Sequence, residues 1–196
     1  IAGGLARSTL IGAAAFNYLT KHGGVSPARL SLTIVLAASL TQMLLAPLFT
    51  VLLIATYYFA GVELGALSIT PVFIPAILLS ALFTSALGVA IGLTMAGKTF
   101  ATRVANVMPT LLLPLFMVSA FTPAGLRPYN PFTALMILLA ASLSTNTGSG
   151  ITSSTLSDLL VSYATLSIAT LTLLILAIVL MTRVVEVNIY EVSTSI

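Results

Sequence analysis

Long apolar stretches separated by short polar runs dominate the chain. Four are long enough to cross a bilayer, whose hydrocarbon core of ~30 Å takes about 20 helical residues. They are span A within 30–60, span B at 71–96, span C at 104–122 and span D at 159–182, and none has a charged residue in its interior. The stretch 1–19 is weaker, because Gly3, Gly4 and Arg7 interrupt it. It reads as the end of a preceding helix or as an interfacial helix. The stretch 131–143, PFTALMILLAASL, is apolar but only 13 residues long. As a helix it reaches about 20 Å, too short to cross, which suits an outer re-entrant or interfacial half-helix. The run 144–158, STNTGSGITSSTLSD, is rich in Ser, Thr and Gly and reads as an outer aqueous loop.

Composition carries the pattern further. Of 196 residues, 59% are hydrophobic and 6% charged, against about 25% charged in an average soluble domain. Eleven charged side chains cannot cover the surface of a water-soluble globule of this size. Soluble enzymes, nucleic-acid binders, disordered proteins and disulfide scaffolds are excluded, and an all-α polytopic membrane protein in contact with the lipid bilayer is predicted. With no Cys there is no disulfide or thiolate metal site, and His22 is the one histidine. The first residues, IAGGLARSTL, lack the basic–apolar–small order of a signal peptide. The expectation is an N-terminally incomplete chain.

The net charge is only +3, so position matters more than the sum. With the segment before span A in the cytoplasm, Arg7, Lys21 and Arg29 lie inside. Glu63 falls outside after span A, Lys98 and Arg103 inside after span B, Arg127 and Asp158 outside after span C, and Arg183 inside after span D. Six of the seven basic residues then share one side, as the positive-inside rule requires. A fifth crossing at 131–143 would move Arg183 across and weaken the pattern. Four full spans, an outer half-helix and a cytoplasmic tail at 183–196 follow. Tyr57, Tyr58 and Tyr163 fall at outer span ends, as an interfacial aromatic belt or as packing between helices.

The match GLTMAGKT at 92–99 fits the phosphate-binding P-loop pattern. That loop needs a strand before it, a helix after it and a carboxylate to order magnesium. Here it follows a membrane span, so Lys98 reads as a cytoplasmic anchor and the match as a false P-loop. Gly88 and Gly92 form a G-x-x-x-G pair, with Ala81 and Ser85 on nearly the same stripe. They read either as a close-packing seam between helices or as chance in a Gly/Ala-rich span. Pro47, Pro75, Pro109 and Pro114 interrupt spans, as kinks that serve gating or as tolerated packing features. Ion-coupled carriers place Asp, Glu or His within spans, and none lies there in this sequence. One histidine and four scattered acids make no catalytic constellation. No enzyme, bound cofactor or metal is expected.

Two segments carry a resemblance. At 16–30, FNYLTKHGGVSPARL has a hydrophobic pair, Tyr18 and Leu19, then a small-polar-Pro turn and a basic residue. This resembles the loop of type-2 ABC exporter permeases in which a Leu-Leu-x-x-x-Pro element precedes the third helix. After Lys98, TFATRVANVMPTLLLPLFMVSAFTP and RPYNPFTALM are similar to that family's fifth helix and its exit. Pro114 and Ser119 form the core pattern, Phe121 and Pro123 the outer end, and Asn130-Pro131 opens a short outer half-helix. The resemblance covers essentially the whole chain, aligned with the last two-thirds of a six-helix permease, and the preceding helices have no counterpart here.

The resemblance implies a transmembrane permease subunit of an ATP-driven exporter in the plasma membrane. Two copies, or this chain and a related one, would line the path. A separate cytoplasmic ATPase would hold ATP and magnesium. The segment 20–29 with the residues before it (Tyr18, Leu19, Lys21, His22, Pro27 and Arg29) would be the ATPase-coupling loop. Phe121, Pro123, Asn130 and Pro131 would belong to an outer gate. The alternative is a non-transporting structural or assembly subunit of a membrane complex. The span faces carry scattered Ser and Thr (Thr33, Ser39, Thr41, Gln42, Ser80, Thr84, Ser85), which leaves the transported substrate open.

Overall fold

The structure is a computed structural model, and it describes residues 2–59, 73–96, 121–142 and 156–186. All regular structure among them is helical. Helix α1 spans Ala2–Lys21, α2 Pro27–Phe59 and α3 Phe73–Met95. A 3₁₀ helix spans Ala124–Tyr129, followed by α4 at Pro131–Ser142 and α5 at Leu156–Glu186. Three helices are long and apolar enough to cross a membrane, over Pro27–Leu45, Ile74–Met95 and Leu156–Arg183. Span C as far as residue 120, with Pro109 and Pro114, and also Lys98, Arg103 and the polar run from 143 to 155 lie outside the described residues.

Several boundaries differ from those read in the sequence, each for a local reason. The expected loop 20–29 shrinks to 22–26, because α1 continues through Lys21 and α2 restarts at Pro27. α5 starts at Leu156 rather than 159, taking Asp158 into its first turn, where a carboxylate complements the helix dipole. It also continues past Arg183 to Glu186, into the expected tail. Pro75 falls in the first turn of α3, where its missing N–H leaves no bond broken. Pro47 lies inside α2.

The helices turn many large apolar side chains outward, and small and polar side chains share the interior with apolar ones. On α2, Leu32, Leu36, Leu40, Leu44 and Leu48 form an exposed stripe at four-residue steps. Ser31, Val35 and Ser39 occupy the buried face at the same period. On α5, Leu160, Ile168, Leu171 and Ile175 are exposed, while Ser162, Leu166, Thr170 and Ala177 are buried. Water would penalise this arrangement, since exposed apolar patches beyond a few hundred Å² are rare in soluble monomers. In hydrocarbon it is the expected one: large apolar side chains meet lipid, and small residues let helices approach. α3 is the most enclosed helix, with 56% of its apolar window buried against 28% for α2 and 22% for α5. Its buried residues, among them Ala81, Phe83, Ser85, Ala86, Val89, Ala90 and Leu93, cover more than half of the way round the axis, as for a helix with several neighbours.

The helices fall into two compact units. The first contains, among described residues, 2–38, 82–96 and 170–186. Its core is Ala13, Val35, Ala86, Val89, Leu93, Ala177 and Met181, with Phe16, Leu30 and Ile34 packed against it. α1, α2, α3 and α5 thus all contribute to one cluster. The second contains 39–59, 73–81, 121–142 and 156–169. There Ser39 Oγ donates to the Ala81 carbonyl oxygen at 3.3 Å, tying α2 to α3. Ala76, Ala134, Leu138 and Leu166 are fully buried.

Candidate functional site

The connector between α1 and α2 is built from three local devices. α1 ends as the chain folds over the Leu19 carbonyl oxygen, which accepts from Gly23 N at 3.0 Å and Val25 N at 3.4 Å. A Cβ on Gly23 would lie 2.6 Å from that oxygen, so only glycine passes there. Gly24 then takes φ +64, the left-handed conformation that commonly ends helices and favours glycine. Ser26 caps the next helix: Arg29 N donates to Ser26 Oγ at 3.3 Å. Pro27 occupies the first helical position, where its missing N–H costs nothing.

These devices hold the candidate coupling residues at one tip. Tyr18 and Leu19 are exposed, at 60% and 41%, although both are apolar enough to be buried if the fold allowed. His22 sits one turn after Tyr18, with ring centroids 5.0 Å apart and planes tilted by 42°. Lys21, His22 and Arg29 are exposed, and Pro27 is half-buried. Asn17, one turn back on α1, is buried, as is Ser31 on α2. The tip therefore shows aromatic, aliphatic and basic groups outward and small polar groups inward. Arg183, also exposed, lies beside the core residue Met181 on α5.

The glycine pair has a partner. A Cβ on Gly88 would lie 2.6 Å from the Ala2 carbonyl oxygen and 3.1 Å from Leu5 Cβ. One on Gly92 would lie 2.6 Å from the Ala6 carbonyl oxygen and 2.9 Å from Thr9 Cβ. Both helices advance four residues between these contacts, so a row of α1 backbone lies along the glycine groove of α3. The pair works within the subunit, as ridge against groove. Gly92 also opens the P-loop match, yet Gly92 to Met95 are helical. The residues of that match from 97 onward lie outside the described ones.

The segment 121–133 is a hydrogen-bonded knot. Asn130 caps α4: Phe132 N donates to Asn130 Oδ1 at 3.0 Å, and Pro131 fills the first helical position. This repeats the Ser26-Pro27 device. Asn130 Nδ2 also donates to Thr122 Oγ1 at 3.2 Å. The Arg127 carbonyl oxygen accepts from Asn130 N and from the Thr133 hydroxyl. Arg127 Nε donates to the Thr122 carbonyl oxygen at 3.1 Å. Phe121 and Pro123 lie on the exposed rim of this knot. Thr122 and Thr133 were not singled out from the sequence, and Arg127 was read only for its charge, because their bonds join atoms that only the folded turn brings near.

Among the described residues, no three His, Asp or Glu side chains gather as a metal site would require. Compared with known protein families, curated proteins and solved structures, the chain matches none.

Proposed function

We propose that the chain is the transmembrane permease subunit of an ATP-driven ABC exporter, working as a dimer in the plasma membrane with its C-terminus in the cytoplasm. The observation that carries this reading is the α1–α2 connector, where Tyr18, Leu19, Lys21, His22 and Arg29 are exposed on a turn fixed by Gly24 and Ser26. Coupling to a separate motor needs a stiff projection with a sticky surface. A flexible loop absorbs displacement, whereas two capped helix ends pass it on to the core at Val35 and Ala13. The basic groups suit the cytoplasmic side. The span interiors hold no acid or histidine for ion coupling, which fits an energy source on a partner ATPase carrying ATP and magnesium.

In this reading four spans cross the bilayer, with 104–122 as the fourth. α4 measures about 18 Å and is a re-entrant half-helix held at its outer end by the Asn130 knot. Phe121, Pro123, Asn130 and Pro131 belong to the outer gate region, Asn130 and Pro131 within the knot and Phe121 and Pro123 on its exposed rim. The test is purification of the intact protein from its native membrane in mild detergent. An ATPase subunit should accompany it in stoichiometric amount. Its absence from the intact complex would leave the structural-subunit reading in its place.

A further inference from the structure

The segment 121–129, which ends in the 3₁₀ helix beside α4, exposes three large apolar side chains around a cation. Phe121 is 85% exposed, Leu126 58% and Tyr129 64%, and Arg127 between them is exposed too. Its turn is closed by backbone bonds at both ends, Leu126 N donating to Pro123 O at 2.9 Å and Asn130 N to Arg127 O at 3.3 Å. A closed turn that presents apolar side chains outward suits the boundary between hydrocarbon and headgroups, where aromatic residues concentrate.

Charge decides what lies against it. Residues 121–142 contain no Asp or Glu, so Arg127 has no built-in counter-ion within the segment. Its Nε–H is used on the Thr122 carbonyl oxygen, which fixes the guanidinium plane and leaves the two terminal amino groups. Planar guanidinium matches phosphate geometry. The arginine stem lies along apolar surface while its head reaches the polar layer, and aromatic residues favour that same layer. We propose that 121–129 rests in the headgroup–acyl boundary of a phospholipid bilayer, with Arg127 on a lipid phosphate and Phe121, Leu126 and Tyr129 against the upper acyl chains. The outer end of α4 is thereby anchored to the lipid. This rests on the chain being membrane-embedded and not on any ATPase partner.

The chain contains no Trp, so one introduced indole reports alone. The full chain carrying Phe121→Trp, and separately Tyr129→Trp in case the first fails to insert, is reconstituted into phosphatidylcholine vesicles with and without phosphatidylglycerol. Both indoles should emit at shorter wavelength than in water and be quenched more by shallow than by deep lipid-attached quenchers. Arg127→Gln should cut the preference for phosphatidylglycerol roughly five-fold, the factor matching one surface cation's attraction to anionic lipid. Free quenching by aqueous acrylamide, strongest quenching at the bilayer centre, or protection from every quencher would each overturn the proposal; protection would mean that a protein surface covers the segment. Unchanged lipid preference in Arg127→Gln would overturn the phosphate contact. An ATPase that fails to co-purify leaves these outcomes untouched.

Discussion

Gly88 of α3 faces the backbone of α1 so closely that a Cβ there would sit 2.6 Å from the Ala2 carbonyl oxygen. Backbone cannot swing away as a side-chain tip can. Overpacking of this kind costs about 1–3 kcal/mol, more than the ~1 kcal/mol that Gly→Ala gains in helix propensity. Gly88→Ala should therefore destabilise the protein by up to about 2 kcal/mol. Gly4, with nothing within 4 Å of its would-be Cβ, provides the contrast: Gly4→Ala should be neutral or stabilising by up to ~1 kcal/mol. Denaturation in detergent micelles, scored as the shift in midpoint, separates the two.

At the tip, Gly24→Ala forces an L side chain into the left-handed region at a cost of about 1–2 kcal/mol. Gly24→Asn should lose less, since Asn tolerates that conformation. Ser26→Ala removes the α2 cap, a loss of ~1 kcal/mol. Amide hydrogen exchange should locate this second loss: Arg29 N–H, which donates to Ser26 Oγ, exchanges faster while amides of the Val35 turn are little changed.

In the outer knot, Asn130→Ala strips the cap of α4 and the bond to Thr122 together. The expected loss is about 1–2 kcal/mol. Thr133→Val keeps the volume but removes a hydroxyl that bonds Arg127 O and Asn130 O, leaving two part-buried acceptors each short of one partner. Its loss should be ~1 kcal/mol. Proteolysis after 121–130 in vesicles should accelerate in both variants.

Leu44 is 80% exposed near the middle of α2. On a water-facing helix Leu44→Arg would change stability by no more than about 0.5 kcal/mol. Against lipid the same change costs up to about 2.5–3.5 kcal/mol on insertion scales, the full value applying at the bilayer centre. Membrane insertion measured by carbonate extraction and glycosylation mapping should fall for Leu44→Arg. Wild-type insertion would contradict a lipid-facing α2.

The helices were readable from the sequence to the extent that bilayer thickness controls them. An apolar run such as 71–96 has to become a helix of about that length, and α3 occupies Phe73–Met95. The ends were less legible, because caps and not hydrophobicity decide them. Polarity alone makes 20–29 a loop, whereas Gly24 and the Ser26-Pro27 pair confine the turn to five residues. Those signals stand in the sequence, as Asn130-Pro131 does. The partner of Gly88 and Gly92 does not. A small-residue groove says that something approaches closely, but not that Ala2 and Ala6 of α1 fill it. For the tip, the resemblance to the permease loop pointed to Tyr18 and Leu19. Their exposure depends on how α1 turns Ala13 and Asn17 toward its neighbours.

The central claim is that the α1–α2 tip couples the spans to an ATPase. Its most direct test is the ATP hydrolysis rate of the purified complex in lipid vesicles, compared between wild type and the double variant Tyr18→Ala with Leu19→Ala. Both side chains are exposed and hold little of the core, so the variant should fold and insert normally. The account predicts that it loses bound ATPase or the membrane-dependent stimulation of hydrolysis. An ATPase that stays bound and hydrolyses at the wild-type, membrane-stimulated rate would contradict it.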